Sequence, residues 1–236
     1  MSDQQRRDRR LPDQLRAVRF EAGVLSHAPG SVLAHFGNTK VVCTATLEPG
    51  VPRFLLHSGK GWLTAEYGML PGSTNKRSSR EAVAGRQSGR TMEIQRLIGR
   101  SLRMSTDLAR LGENTLRVDC DVIEADGGTR TAAISGACIA VSLALRQSVP
   151  DAFVGLVGSV SVGIRDGQAL LDLDYEEDSS CDTDMNVVAM EHKGFIELQG
   201  TAERTPFSRS ELIDAIELAE KGIREISCLQ REALSR

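Results

Sequence analysis

The sequence lacks the segments that membrane and secreted proteins carry. No apolar run among its 236 residues approaches the roughly 20 residues that a membrane-spanning helix needs. The first ten residues are charged and are followed by no apolar stretch, which differs from the pattern of a signal peptide. We therefore expect no membrane partner, and we expect residues 1–10 to form a flexible basic arm.

Cysteine and histidine are sparse and show no metal-binding arrangement. The five cysteines are an odd number, lie far apart and include no C-x-x-C pair, which argues against a disulfide framework and a zinc site. Free thiols are typical of a reducing compartment, so we expect a cytoplasmic protein. The four histidines have no metal-ligand spacing, and structural or surface roles are expected for them.

Common catalytic signatures are also missing. The glycines around Lys60 do not form a Walker loop, because the spacing and the Ser or Thr after the lysine are absent. The sequence contains neither a serine nucleophile elbow nor an H-E-x-x-H motif. It has no proline-rich linker, so one domain over residues 11–236 is the simplest prediction.

Charge is divided unevenly along the chain. The net charge is −3, yet residues 1–110 hold 18 Lys and Arg against 9 Asp and Glu, whereas residues 111–236 hold 11 against 23. A basic half beside an acidic half suits a polyanion on one surface and a metal ion on the other. A charged surface without a function is also compatible with this division.

Periodicity predicts strands and one helix in the first half. Alternating residues predict a hairpin of strands 31–36 and 40–47 around a Gly-Asn turn, and a further strand over 61–67. The segment 71–89 has the composition of a flexible basic loop. Helical spacing covers 91–111, with apolar residues on one face and arginines on the other.

The second half repeats this order of strands followed by a helix. A hairpin of strands 159–164 and 169–175 turns at an Asp-Gly pair, strands follow over 185–190 and 195–199, and an amphipathic helix covers 208–234. This order predicts the α+β class, with helices packed on mixed sheets.

The most informative motif joins a predicted strand over 115–122 to a predicted buried helix. In the joint, 122–130 (VIEADGGTR), the D-G-G sequence forms a turn and Thr129 occupies the position of an N-cap. Backbone N–H groups at the positive end of the helix, together with the guanidinium of Arg130, would form a phosphate site. On this motif alone, an ordinary turn between a strand and a helix is equally compatible.

A run of carboxylates follows in residues 172–184 (DLDYEEDSSCDTD). Strand alternation would place Asp172, Asp174 and Glu176 on one face, with Asp178 and the later acids in the next connection. An EF-hand loop is excluded, because the required glycine and the preceding helix are missing. The oxygen ligands suit Mg²⁺ near a phosphate, or they form an acidic surface without a function.

Five segments together resemble the ribonuclease PH family. They are residues 61–71 (GWLTAEYGMLP), 88–98 (SGRTMEIQRLI), 119–131, 177–187 and 200–203 (GTAE). They occur in the family's order, so the resemblance covers nearly the whole chain. One such string could arise by chance, whereas five in order are specific.

The resemblance implies a fold, a reaction and an assembly. The expected fold is the ribosomal-protein-S5-domain-2-like β-α-β domain. The expected enzyme is a phosphorolytic 3′→5′ exoribonuclease, a tRNA nucleotidyltransferase that trims nucleotides beyond the CCA end. Inorganic phosphate would be the co-substrate, nucleoside diphosphates the products and Mg²⁺ the cofactor, in a reversible step. The expected partner is RNA rather than DNA, chiefly tRNA precursors with 3′ extensions, and rRNA processing or degradation is a further expected role. The assembly would be a homohexamer made of three dimers.

The resemblance also implies roles for individual residues. The residues expected to hold inorganic phosphate are Arg90, Gly128, Thr129 and Arg130. Asp178 and Asp184 would be the catalytic pair and the magnesium ligands, with Asp184 as the general acid.

A basic loop in the family grips tRNA, and three residues correspond to it here. They are Lys76, Arg77 and Arg80. Gly72 stands where the family usually has an arginine after Leu-Pro. This departure weakens the expectation for tRNA and leaves the expectation of phosphorolysis unchanged.

Two other functions stay open at this point. A non-catalytic RNA-binding ring subunit could share the fold, although the joint presence of the arginines and carboxylates speaks against it. A hydrolytic metal-dependent nuclease would use water and release nucleoside monophosphates. Separation of the products formed with and without phosphate distinguishes all three functions.

Overall fold

The fold is taken from a computed structural model that describes residues 6–235. Residues 1–5 of the predicted arm lie outside the described residues. Between residues 6 and 235 the chain forms nine strands and six α-helices. The strands are β1 (Val18–Ala22), β2 (Gly30–Phe36), β3 (Thr39–Pro49), β4 (Trp62–Met69), β5 (Asn114–Glu124), β6 (Val157–Arg165), β7 (Gln168–Leu171), β8 (Thr183–Met190) and β9 (Gly194–Ala202). The helices are α1 (Glu81–Ala84), α2 (Gly89–Arg103), α3 (Leu108–Leu111), α4 (Thr129–Arg146), α5 (Tyr175–Ser180) and α6 (Arg209–Ser235).

The strands form two sheets. The first has the order β1-β2-β3-β5-β4, in which β4 and β5 are parallel and the other neighbours are antiparallel. The second is antiparallel, with the order β7-β6-β8-β9. The predicted α+β class with mixed sheets and packed helices is therefore confirmed.

The buried helix predicted after the D-G-G turn is α4, and it packs between the two sheets. It contacts β2, β3 and β5 of the first sheet and β6 of the second. A Cβ at Gly136 would lie 2.8 Å from Ala34 Cβ, so the helix approaches β2 closely at this point. Helix α6 covers β6 and β7. Within residues 6–235, no helix is both long enough and apolar enough to cross a membrane.

The helix predicted over 91–111 is interrupted. Helix α2 ends at Arg103, and α3 begins after Asp107, whose carboxylate accepts hydrogen bonds from the N–H groups of Ala109 and Arg110. The N–H of Asp107 donates to Ala152 O at 2.7 Å. Because this N–H bonds to Ala152, it is not available for a helical hydrogen bond, and the helix is broken here. The spacing of apolar residues continues across the break, so the sequence did not reveal it.

The strand predicted over 169–175 is also shorter than expected. Strand β7 ends at Leu171, because Asp172 adopts a left-handed conformation with φ +55°. Asp174 is the N-cap of α5, and its carboxylate accepts a hydrogen bond from Glu177 N. The predicted strand face of Asp172, Asp174 and Glu176 was therefore wrong.

Residues 6–10 of the predicted arm lie against the domain. Arg6 is only 3% exposed and forms an ion pair with Glu177, whereas the neighbouring Arg7 is exposed and pairs with Glu176. Arg6 is thus held by the domain, whereas residues 7–9 are exposed.

Candidate active site

Two helices that pack against each other begin at the candidate site. Arg90 is the second residue of α2, which follows the N-cap Ser88. Arg130 is the second residue of α4. The first N–H groups of a helix have no partner within the helix, and this end carries a partial positive charge. Arg130 Nη1 lies 3.6 Å from the carboxylate of Glu93, which is the fifth residue of α2, so the N-termini of the two helices lie near each other.

The D-G-G joint adopts the predicted turn, with a different residue at the cap. Gly127 and Gly128 both have positive φ, +74° and +63°. Gly128 is the N-cap of α4, and no side chain caps this end of the helix. The assignment of Thr129 as the N-cap was therefore wrong. The uncapped end leaves backbone N–H groups free to bind an anion.

Thr129 is held by a residue of the first sheet that the sequence did not single out. The hydroxyl of Tyr67, on β4, donates a hydrogen bond to Thr129 Oγ1 at 2.9 Å, and both residues are buried. Burial raises the pKa of Tyr67, and the charges of Arg90 and Arg130 partly oppose this increase. Tyr67 therefore remains a hydrogen-bond donor at neutral pH, close to both arginines.

Arg130 is oriented by two further residues from different elements. Its Nη1 donates to Gln199 Oε1 on β9 at 3.2 Å and lies 3.6 Å from Glu93 Oε1 on α2. Gln199 Nε2 in turn donates to Glu93 Oε1 at 3.1 Å. This set joins α2, α4 and β9 around the guanidinium. Glu93 falls inside the segment 88–98, but its contact with Arg130 depends on the packing of separate elements.

The two predicted catalytic carboxylates come from the second sheet and its short helix. Asp178 is on α5, and Asp184 is the second residue of β8, opposite Gly163 and Thr201. Burial raises the pKa of Asp178, and the positive charges of Arg90 and Arg130 oppose the increase. Although Asp178 reaches solvent, neighbouring atoms remove part of its hydration.

Asp184 is less exposed than Asp178, and the negative charge of Asp178 acts on it. Burial raises the pKa of Asp184, the negative charge of Asp178 raises it further, and Arg130 and Arg90 act in the opposite direction. These mutual effects place all four side chains in one electrostatic environment. The backbone agrees with this, because Asp184 pairs with Thr201, two residues from the Gln199 that binds Arg130, and the D-G-G turn contacts Asp174 at the start of α5.

Glu203 is a third carboxylate near the pair. Its negative charge raises the pKa of both Asp178 and Asp184. It follows β9, and its N–H donates to Asp182 O at 2.8 Å. The sequence contained a signal for it, since Glu203 ends the segment 200–203 (GTAE).

The predicted basic loop is exposed and partly helical. Lys76, Arg77 and Arg80 are all solvent-exposed, and α1 follows them. Arg80 and Arg90 line one cavity of about 690 Å³ together with Tyr67, whereas Lys76 lines a second cavity of about 970 Å³. Arg80 thus faces the same space as one of the two site arginines.

The carboxylates meet the requirements of Mg²⁺ but not those of a closed protein cage. Within residues 6–235, no cluster of three or more His, Cys, Asp or Glu is arranged to hold a metal ion. Mg²⁺ is commonly bound by one or two carboxylates that share it with water and substrate phosphates. Asp178 and Asp184 provide two carboxylates whose like charges interact, so a divalent cation shared with phosphate fits this pair.

Two family models match most of the chain. The model of the 3′ exoribonuclease family, domain 1, matches residues 14–147. The model of the 3′ exoribonuclease family, domain 2, matches residues 155–222. The first match includes Arg90 and Arg130, and the second includes Asp178 and Asp184.

Solved structures share the fold over nearly the full length of the chain. Rrp46 from rice (Oryza sativa) matches with a TM-score of 0.83 and 20% identity, over 98% of this chain and 100% of the other. A chain of the Archaeoglobus fulgidus exosome with RNA bound to the active site gives 0.80 and 21%, over 95% and 92%. A chain of an archaeal exosome core gives 0.77 and 20%, over 97% and 92%. The ribosomal-protein-S5-domain-2-like fold expected from the sequence is confirmed.

Proposed function

This chain belongs to the 3′ exoribonuclease family, and we propose that it shortens RNA from the 3′ end by phosphorolysis. The observation that carries the proposal is the meeting of two arginines at helix N-termini with two carboxylates from the second sheet. Arg90 and Arg130 act electrostatically on both Asp178 and Asp184. The arginines and helix N-termini suit a phosphate nucleophile. The carboxylates suit the reacting phosphodiester.

Inorganic phosphate would be the nucleophile, held by the positive half of the site. The guanidinium groups of Arg90 and Arg130 and the uncapped N–H groups after Gly128 would bind its oxygens. This binding reduces the repulsion between the phosphate and the anionic RNA and aligns the attacking oxygen. Tyr67 would keep Thr129 in place at the edge of this pocket.

The bond changes balance without water. A phosphate oxygen forms a bond to the phosphorus of the terminal phosphodiester, and the bond from that phosphorus to the 3′ oxygen of the preceding nucleotide breaks. The 3′ oxygen takes a proton and becomes the new hydroxyl end, and the terminal nucleotide leaves as a nucleoside diphosphate. Because a phosphodiester is exchanged for a phosphoanhydride, the step would also run in reverse.

The carboxylates would supply the proton and hold the cofactor. Asp184 would be the general acid, since burial and the negative charge of Asp178 raise its pKa above that of an ordinary aspartate. Mg²⁺ would be held by Asp178, and by Asp184 once it has given up its proton, and would stabilise negative charge on the phosphate oxygens when bound.

For the substrate, we propose tRNA precursors with 3′ extensions, trimmed beyond the CCA end, with rRNA processing or degradation as a further role. Support comes from the exposed cations Lys76, Arg77 and Arg80, one of which faces the cavity beside Arg90. Contacts to phosphate position a nucleic acid without reading its sequence. The tRNA preference would then arise from the shape of the 3′ end.

For the assembly, we propose a homohexamer of three dimers in the cytoplasm. The chain leaves large apolar side chains exposed, among them Phe54, Leu56 and Val83. Its five cysteines are free, as expected in a reducing compartment. Light scattering coupled to gel filtration measures the assembly, and a monomer would contradict this part of the proposal.

The test of the reaction is a separation of products from a short RNA. The protein is incubated with RNA and Mg²⁺, with and without inorganic phosphate, and the products are resolved by thin-layer chromatography. Phosphorolysis predicts nucleoside diphosphates that form only with phosphate. Monophosphates formed without phosphate would indicate a hydrolytic nuclease, and RNA binding without products would indicate a non-catalytic ring subunit.

A further inference from the structure

Helix α5 carries Asp178 but is too short to be stable without support. It has six residues, and an isolated helix of that length does not hold its conformation in water. A capping box between Asp174 and Glu177 closes its first turn. Leu173 precedes the helix and Cys181 follows it, and both side chains belong to one small apolar cluster. Cys181 packs closely on β6, because a Cβ at Gly163 would lie 2.5 Å from its Sγ.

A buried ion pair from the other end of the chain holds the same helix. Arg6 Nε donates to Glu177 Oε1 at 2.6 Å, and Arg6 Nη2 donates to Glu177 Oε2 at 2.6 Å. The side chains are 1% and 5% exposed. Burial alone would raise the pKa of Glu177, but the hydrogen bonds and charge of Arg6 outweigh it and the pKa is lowered. The pair is therefore ionised at neutral pH and has the rigid two-bond geometry of arginine with a carboxylate.

The segment 6–16, which we term the N-terminal strap, also forms hydrogen bonds with the residues before α5. Arg6 and Arg10 both donate to the carbonyl of Asp172, at 3.1 and 3.0 Å. The N–H of Leu171 donates to Pro12 O at 2.7 Å. These bonds hold Asp172 in its left-handed conformation, which is uncommon for a residue other than glycine.

Arg16, the last residue of the strap, links Asp172 to the D-G-G turn. Its backbone N–H, Nε and Nη2 donate to the carboxylate of Asp172, which is fully buried, and its Nη1 donates to Asp126 O. On the other side of the turn, a Cβ at Gly127 would lie 2.6 Å from the carbonyl carbon of Asp174. The approach to α5 and the D-G-G turn are thus packed together without space between them.

We propose that Arg6 is a positioning residue of the phosphorolytic reaction, because its ion pair with Glu177 fixes α5, which carries Asp178, beside the D-G-G turn. The inference rests on the proposed function. Arg6 is buried and acts through Glu177, which precedes Asp178 directly. Loosening α5 would displace Asp178, while Arg90 and Arg130, on other helices, would keep their places.

The test compares Arg6→Ala and Arg6→Lys with two controls in the full chain. Arg7→Ala removes an identical charge from the adjacent position, whose partner Glu176 is exposed. Ile226→Ala removes a buried side chain of α6 that lies next to Gly158 on β6, and it supplies a loss of stability from a position outside the strap. For each protein, kcat and the KM for phosphate are measured where it is folded, and amide hydrogen exchange is followed in peptides covering 174–181.

The proposal predicts a selective loss. Arg6→Ala should lower kcat by about tenfold or more while the KM for phosphate changes by less than about threefold, because misplacement of a reacting group is costly and the phosphate site stays intact. Arg6→Lys keeps the charge and should restore part of kcat. Exchange should accelerate in 174–181 for Arg6→Ala but not for Arg7→Ala.

Three results would overturn it. They are a kcat for Arg6→Ala within about twofold of wild type, a loss no larger than that of Ile226→Ala, and unchanged exchange in 174–181. If Arg6→Ala does not fold, Arg6→Lys decides by the same measurements. If the wild-type protein releases no nucleoside diphosphate, the proposed function fails, and the exchange data still show whether Arg6 holds α5.

Discussion

The hydroxyl of Tyr67 donates a hydrogen bond to Thr129 Oγ1 across 2.9 Å, which joins the first sheet to the first residue of α4. The bond is buried, and both arginines of the candidate phosphate site act on the tyrosine. It fixes the start of the helix whose uncapped end would bind phosphate. Stability and phosphate affinity should therefore depend on the same hydroxyl.

Tyr67→Phe removes only this hydroxyl. A buried hydrogen bond contributes about 1 kcal/mol, so we expect Tm to fall by roughly 2–4 °C in a chain of this size. The KM for phosphate should rise, since Thr129 loses its partner. Thermal unfolding and a phosphate titration measure the two effects. The matched control is Tyr175→Phe, because Tyr175 is the other tyrosine and is exposed; equal behaviour of the two variants would contradict the assignment.

Arg130→Ala should abolish phosphate-dependent release of nucleoside diphosphates while RNA binding stays nearly intact. The reason is that Arg130 would bind the nucleophile, whereas the exposed loop cations would bind the RNA backbone. Product release and RNA affinity are measured separately on the same preparation. Arg146→Ala, at the opposite end of α4, is the control for loss of an arginine from this helix. Near-normal phosphorolysis by Arg130→Ala would refute the role in phosphate binding.

Asp184→Asn should remove activity and increase stability at neutral pH. Burial and the charge of Asp178 raise the pKa of Asp184 in the folded protein above its ordinary value of 3.8. The folded state then binds the proton more tightly than the unfolded state, so wild type loses stability as pH rises from 3.8 through the raised value. Asparagine does not titrate, so the stability of Asp184→Asn does not decrease in this way as pH rises.

Urea unfolding without divalent cations tests this second effect. The free energy of unfolding of Asp184→Asn should exceed that of wild type at pH 7, and the difference should vanish below pH 3.8. Asp214→Asn, an exposed change on α6, is the control for loss of an aspartate outside the candidate site. Wild-type turnover by Asp184→Asn would mean that the acidic run is only a solvated surface.

Gly127→Ala should disrupt the site through contact as well as backbone strain. The new Cβ would lie 2.6 Å from the Asp174 carbonyl carbon and 2.7 Å from Leu173 O, so α5 must move away from the turn. Gly23 has the same φ of +74° with no atom within 4 Å of a Cβ. Gly23→Ala therefore measures the strain alone, about 1 kcal/mol. A larger loss of both stability and kcat is expected for Gly127→Ala, and equal losses in the two variants would exclude the contact.

Local features of the sequence predicted the centre of the site. The turn at 126–128 was predictable because two consecutive glycines follow an alternating strand pattern and precede an apolar helix pattern. Glycine is the residue that most readily adopts the positive φ that both positions have. The hairpin between β2 and β3 and the final helix α6 were also predictable. Each depends on neighbouring residues and on a clear period.

The acidic run shows where a local period misled the prediction. Alternation from Leu171 onward favoured a strand, but Asp174 and Glu177 have the spacing of a capping box, which favours a helix. The left-handed Asp172 ends the strand, and its conformation depends on Arg6, Arg10 and Arg16. A local period cannot report bonds that come from a distant segment.

The contacts that orient the site residues were beyond prediction for a similar reason. Arg6 and Glu177 are separated by 171 positions, and the composition of the first ten residues favours a solvated arm. Arg130 and Gln199 meet only because α4 packs between the two sheets. Such pairs follow from the fold and carry no sequence pattern of their own.

The proposal of phosphorolysis depends most directly on where the phosphorus of inorganic phosphate goes. Wild-type protein is incubated with an unlabelled RNA, Mg²⁺ and ³²P-labelled inorganic phosphate, and the nucleotide products are separated. Attack by phosphate predicts label in the β-phosphate of released nucleoside diphosphates, at one label per nucleotide removed, and no label with Arg130→Ala. Unlabelled nucleoside monophosphates, or RNA that is bound and left intact, would contradict it.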